Sequence, residues 1–149
     1  MTTTTSDQAT ATTSSPAGSA DHGTTRTALV TGASSGIGED TARKLQALGY
    51  IVYGAARRTD RLQALTTDGI RPLAMDVTDD ASMNAGVNRI LEETGRIDVL
   101  VNNAGFGTGK DVADDDPERL EQEVRLNCLA VVGLTARYLP AMRKRGNGT

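Results

Sequence analysis

The stretch Thr27-Ala28-Leu29-Val30-Thr31-Gly32-Ala33-Ser34-Ser35-Gly36-Ile37-Gly38 joins a short apolar run to a glycine turn and then to the start of an amphipathic helix. That order has the shape of a phosphate cradle, in which backbone N–H groups at a helix N-terminus face an anion. The glycines do not follow the plain G-x-G-x-x-G spacing, so the turn is a variant of it. Gly32 permits a tight exit from the strand, Gly36 lets backbone approach a ligand, and Gly38 allows the helix to pack closely on the sheet. Further on, Gly54-Ala55-Ala56-Arg57-Arg58 closes a second apolar run with two arginines and no carboxylate. At that place an acidic side chain would accept hydrogen bonds from a ribose hydroxyl, whereas a guanidinium fork matches a 2′-phosphate in charge and geometry. Asp76-Val77 follows a third run, Asn102-Asn103-Ala104-Gly105 follows a fourth, and Asn127 lies in the helix after that.

Each motif also has a plainer explanation. Asp76 could cap the next helix, although Thr78 is better placed for it. Small and amide residues after a buried strand form turns. Asn127 lies seven residues after Leu120, close to an apolar helix face, where an amide needs a partner to offset burial. Asp114-Asp115-Asp116 reads as an acidic helix start rather than a metal site, and Arg143-Lys144-Arg145 as its dipole complement at the other end.

Composition narrows the alternatives. The single Cys128 excludes an internal disulfide and a thiol-rich zinc site, and His22, the only histidine, sits in a polar segment, so no metal is expected. A formal charge of -3 argues against a nucleic-acid partner, which calls for a basic face. No apolar run approaches the length of a membrane span, so no membrane partner is expected and the simplest setting is cytoplasmic. Residues 1–25 are rich in Thr, Ser and Ala, have no apolar period, and are expected to be a disordered tail. They have neither the basic start nor the apolar core of a secretory signal, and Arg26 alone does not make a presequence.

From Thr27 onward strands and helices alternate. Strands are expected at about 27–31, 51–55, 71–75 and 97–101. The first helix, 37–48, carries Ile37, Thr41, Leu45 and Leu48 on one face and is closed by Gly49. Thr59 can cap a short helix holding Leu62 and Leu65. Thr78 caps one with Met83, Val87, Ile90 and Leu91 on its inner face, closed by Gly95. The last helix starts at Asp116-Pro117-Glu118, with Leu120, Val124, Cys128, Val131 and Thr135 as its stripe, and Pro140 should kink or stop it. Alternation of this kind predicts βαβ units and a parallel sheet, an α/β fold.

Five motifs in this order, each at the carboxyl end of its strand or in the helix beyond, make residues 26–149 resemble the N-terminal half of a short-chain dehydrogenase/reductase. The resemblance implies a Rossmann-like doubly wound parallel sheet with strands in order 3-2-1-4 and later strands missing. It implies that Gly32, Ser34, Ser35, Gly36, Ile37 and Gly38 meet the pyrophosphate and adenosine side of the cofactor. Asp76 and Val77 would hold the adenine ring, Asn103, Ala104 and Gly105 would line a ribose, and Asn102 would brace the sheet. Arg57 and Arg58 favour NADP(H) over NAD(H). Asn127 matches the asparagine of the family's catalytic tetrad, which holds a water in a proton relay.

The remaining tetrad members are a Ser and a Tyr followed four residues later by Lys, the Tyr exchanging the substrate proton while hydride passes to or from nicotinamide. Four residues after Tyr50, Tyr53 and Tyr138 come Gly54, Arg57 and Met142, so the 149 residues are expected to be an inactive fragment of an oxidoreductase acting on a small alcohol or carbonyl compound. The alternative is a non-catalytic NADP-binding or regulatory domain. A bare apolar edge on strand four is expected to make the isolated chain marginal or prone to aggregate. The resemblance also implies a parent homodimer or homotetramer.

Overall fold

The computed structural model describes residues 25–149, so the tail expected to be disordered lies, apart from Thr25, outside the described residues. In chain order the elements are β1 (Thr27–Thr31), α1 (Gly36–Ala47), β2 (Ile51–Ala56), α2 (Gln63–Thr66), β3 (Arg71–Ala74), α3 (Asp80–Thr94), β4 (Val99–Val101), a 3-10 turn (Val112–Asp114), α4 (Pro117–Val124), a π-helical turn (Arg125–Leu129) and α5 (Ala130–Arg145). The four strands form one parallel sheet in the order β3-β2-β1-β4, as expected. Strand residues alternate between two cores because successive side chains leave opposite faces of a strand. Ala28, Val30 and Val52 meet Ala42, Leu62 and Leu65 on the α1–α2 side, and Leu29, Tyr53 and Leu73 meet Met83, Val87, Ile90, Leu134 and Tyr138 on the α3–α5 side. Burial on both faces is why the strands read as continuous apolar runs.

Several local expectations are corrected. In α1 the inward residues are Gly38 and Ala42, while Ile37 and Leu48 are 79% and 73% exposed. Gly38 sits so close to the glycine turn that the helix can present only that face inward, which turns Ile37 out. In α3, Leu91 lies largely outside the core, and the cap is Asp79, whose carboxylate accepts the Ser82 N–H at 2.7 Å, not Thr78. Helix α5 neither stops nor starts anew at Pro140. Pro140 and Ala136, whose carbonyl it leaves without a helical donor, both lie on the exposed face, where that carbonyl is open to solvent.

The largest correction concerns the last helical segment. The buried side chains are Ala130, Leu134, Tyr138 and Met142, not the stripe extrapolated from Leu120. The π turn adds a residue to one turn of the helix, so a period counted from Leu120 is out of phase beyond it. The edge of β4, expected to be bare, is met by Thr149, which donates its N–H to the Asp98 carbonyl (2.8 Å) and accepts the Leu100 N–H (2.7 Å).

Candidate functional site

All four strands point their carboxyl ends at one cavity of about 560 Å³. Its walls include Gly32, Ser34, Ser35 and Ile37 from the glycine turn, Arg57 and Arg58 after β2, Asp76 and Val77 after β3, and Asn103, Ala104 and Gly105 after β4. Among the residues singled out from the sequence, Gly36, Gly38 and Asn127 do not line it.

Thr31 holds the first and fourth loops together. Its hydroxyl accepts the N–H groups of Asn103 (3.0 Å) and Ala104 (3.1 Å) and donates to the Val101 carbonyl (3.2 Å). The Asn103 amide returns the contact, donating to the carbonyls of Thr31 (3.0 Å) and Gly32 (3.3 Å). The glycine turn therefore rests on the β4 loop, and two of its glycines are required for different reasons. A Cβ on Gly38 would lie 2.4 Å from both the Gly32 carbonyl oxygen and the Asn103 amide nitrogen. Gly36 has φ +59°, yet a Cβ there would meet nothing within 4 Å. The space in front of Gly36 is open, as a cradle for a ligand requires. Ser35 precedes α1 in extended conformation and its hydroxyl makes no capping bond, which leaves the first helical N–H groups available to an anion.

Asn102, next to the lining residues, donates to the Thr135 hydroxyl at 3.2 Å and ties the β4 loop to α5. Asn127 lies within the π turn and is exposed rather than buried in the helix face. Its side chain clamps the backbone of the β4 loop, accepting the Phe106 N–H at 3.1 Å and donating to the Phe106 carbonyl at 2.8 Å. Such turns are frequent at functional sites because they re-aim one side chain without breaking the helix.

Asp76 forms a turn of its own. It accepts the Thr78 N–H (2.9 Å) and hydroxyl (2.7 Å), while its own N–H donates to the Ser82 hydroxyl (2.9 Å). Burial opposes its ionisation, but the two bonds from Thr78 and the nearby charge of Arg57 outweigh burial and hold the carboxyl below its ordinary value. A carboxyl lowered in the folded state stabilises the fold above its unfolded pKa of about 3.9, and that contribution is lost as pH falls through the folded value. Asp76→Asn keeps an acceptor for Thr78 but loses the charge. Its urea midpoint should therefore lie below that of the parent at pH 7 and converge with it as the pH falls through the folded value; a gap independent of pH would contradict this.

Four cavity-lining residues beyond Gly105 were missed: Phe106, Gln122, Arg125 and Leu126. The last two are the first residues of the π turn, whose phase cannot be read from periodicity. With Arg125 included, the walls carry three guanidinium groups against one carboxylate, a balance suited to a ligand with several anionic groups. None of the three tyrosines lines the cavity. Tyr53 is buried and donates to Glu93 (2.6 Å) while accepting from Arg71 (2.7 Å). Tyr50 accepts from Arg26, and Tyr138 is buried with no partner for its hydroxyl among the described residues; burial raises its pKa. No group of residues that could hold a metal ion occurs among the described residues, and no described helix is long and apolar enough to cross a membrane.

A doubly wound parallel sheet with a glycine turn opening its first helix and a ligand-sized cleft at its strand ends defines an α/β nucleotide-type fold. Residues 26–149 match the family model described as short chain dehydrogenase, and the chain belongs to that family. It is 39% identical over 120 residues to the 3-ketodihydrosphingosine reductase of Bacteroides thetaiotaomicron, a match covering 80% of this chain and 43% of that protein. A metagenomic short-chain oxidoreductase solved in complex with NADP superimposes with a TM-score of 0.77 at 34% identity, covering 84% of this chain and 60% of that one. The 3-ketoacyl-(acyl-carrier-protein) reductase from Brucella melitensis, complexed with NADH, gives a TM-score of 0.77 at 29% identity, over 83% of this chain and 52% of that one. This chain thus spans less than half the length of the Bacteroides reductase.

Proposed function

We propose that the chain is the cofactor-binding part of an NADP(H)-dependent oxidoreductase acting on a small alcohol or carbonyl compound. The observation that carries this reading is the pair Arg57 and Arg58, which lines the same cavity as the open glycine turn from a β2 loop whose cavity-lining residues include no carboxylate. Solved relatives include both an NADP and an NADH complex, so the preference must come from this chain's own residues. The α1 N-terminus with Ser34 and Ser35 would take the pyrophosphate, Arg57 and Arg58 the 2′-phosphate, Asp76 and Val77 the adenine, and the Asn103–Gly105 loop a ribose. The nicotinamide, when bound, supplies hydride chemistry. Asn127 acts by holding the Phe106 backbone, and its remaining N–H and lone pair are free to order a water.

The 149 residues are proposed to bind without turning over. No tyrosine faces the cavity, so no side chain of the usual kind stands ready to exchange the substrate proton. A non-catalytic binding domain remains a second reading on the same observation, and subunit association of a longer parent belongs to the first. Arg57→Ala should weaken NADP+ by about 10- to 100-fold, as expected for a charge-assisted phosphate contact, and leave NAD+ nearly unchanged. Titration calorimetry with both dinucleotides checks this, and equal losses for the two would overturn the NADP assignment. A turnover assay of the same chain with NADPH and carbonyl substrates should show no oxidation of NADPH above background.

A further inference from the structure

Arg125 is a cavity-lining cation that no motif accounts for. It opens the π turn and is exposed, and its guanidinium makes no hydrogen bond or ion pair with the described residues. Its neighbour Leu126 also lines the cavity and packs against the core that contains Met75 and Val77. Met75, Asp76 and Val77 line this cavity from the carboxyl end of β3, and Arg125 and Leu126 line it from the π turn. A guanidinium with no protein partner at the edge of an apolar slot has two uses: it can pair with an anion, or its plane can stack on an aromatic face. At this end Arg57 already lies within electrostatic range of Asp76, and the slot is walled by Met75, Val77 and Leu126. A flat, uncharged ring suits those walls better than a second phosphate does.

We infer that Arg125 is a positioning residue for the adenine base, its guanidinium lying over the ring held between Val77 and Leu126. This rests on the dinucleotide-binding reading above. It separates two roles among the cavity's arginines: Arg57 distinguishes NADP from NAD, whereas Arg125 serves every adenine ligand alike.

The test is calorimetric titration of the 149-residue chain and its Arg125→Met and Arg125→Lys variants with NADP+, NAD+, 2′,5′-ADP, ADP and nicotinamide mononucleotide. Methionine keeps the apolar bulk and removes the plane and the charge. It should weaken all four adenine ligands by a common factor of about 3- to 10-fold and leave the mononucleotide unchanged. Lysine keeps the charge without the plane and should recover only part of the loss. Unchanged melting temperatures are expected, because the Arg125 guanidinium bonds to nothing in the fold. A loss confined to NADP+ and 2′,5′-ADP would make Arg125 a phosphate ligand and overturn the inference, as would parental affinity in Arg125→Met. If the parent chain binds none of the adenine ligands, the dinucleotide reading itself fails and takes this inference with it.

Discussion

Gly38→Ala should destabilise the chain by about 3 kcal/mol, near the upper end for adding a methyl group to a packed interior. The added carbon would lie 2.4 Å from the Gly32 carbonyl and from the Asn103 amide, and the first of these is backbone, which cannot swing aside. Relief would require α1 to lift from the glycine turn or Asn103 to release its bonds to Thr31 and Gly32. Either movement also loosens the seam between the β1 and β4 loops, so the folded fraction should bind NADP+ less well. Gly36→Ala is the control. Its cost is the left-handed backbone alone, about 1–2 kcal/mol, because nothing occupies the space beside it. It should keep the fold and lose affinity, since the methyl group would occupy the open space beside the turn that a bound phosphate is proposed to approach. Urea denaturation paired with calorimetry separates the two. Equal stability for Gly38→Ala and the parent would mean that the turn is not packed on the β4 loop as described.

The second large effect is expected at the opposite end of the sheet. Asp98 precedes β4, is 5% exposed, and accepts the Thr27 N–H that opens β1 at 2.8 Å. Its other oxygen meets Arg96 at 2.6 to 2.8 Å, with Arg145 of α5 at 3.7 Å; the Arg145 guanidinium also donates to the Ile97 carbonyl at 2.5 Å. One carboxylate thus joins β1, β4 and the end of α5. Asp98→Ala leaves a buried N–H without an acceptor and a largely buried guanidinium without its counter-charge, for an expected loss of about 3–5 kcal/mol. Asp98→Asn retains an acceptor for Thr27 and should lose less. A loss of that size is a large share of a typical domain's stability, so the alanine variant should unfold near room temperature or be recovered only in aggregates. The cavity is not touched, and whatever fraction stays folded should bind NADP+ with parental affinity. Reduced affinity in the folded fraction would show instead that the two ends of the sheet are coupled.

Much of the architecture could be read from residue order. The alternation of apolar runs with amphipathic segments dictates a parallel α/β sheet, because strands covered on both faces need apolar side chains on both. Glycine, arginine, aspartate and asparagine motifs at successive strand ends are local in sequence, so the loops bearing Gly32, Arg57, Asp76 and Asn103 were identifiable before their convergence was seen. Two things needed the tertiary structure. The rotation of α1 is set by the absence of room at Gly38, a contact with a carbonyl six residues earlier and an amide 65 positions later, so the apolar residues Ile37 and Leu48 mislead about the buried face. The phase of the final helix is set by the π turn, where Asn127 reaches across to the Phe106 backbone. Helical period describes a regular helix, and one extra residue in a turn shifts every later side chain. That shift places Leu134, Tyr138 and Met142 in the core. The same turn brings Arg125 and Leu126 to the cavity wall, a placement that spacing alone did not indicate.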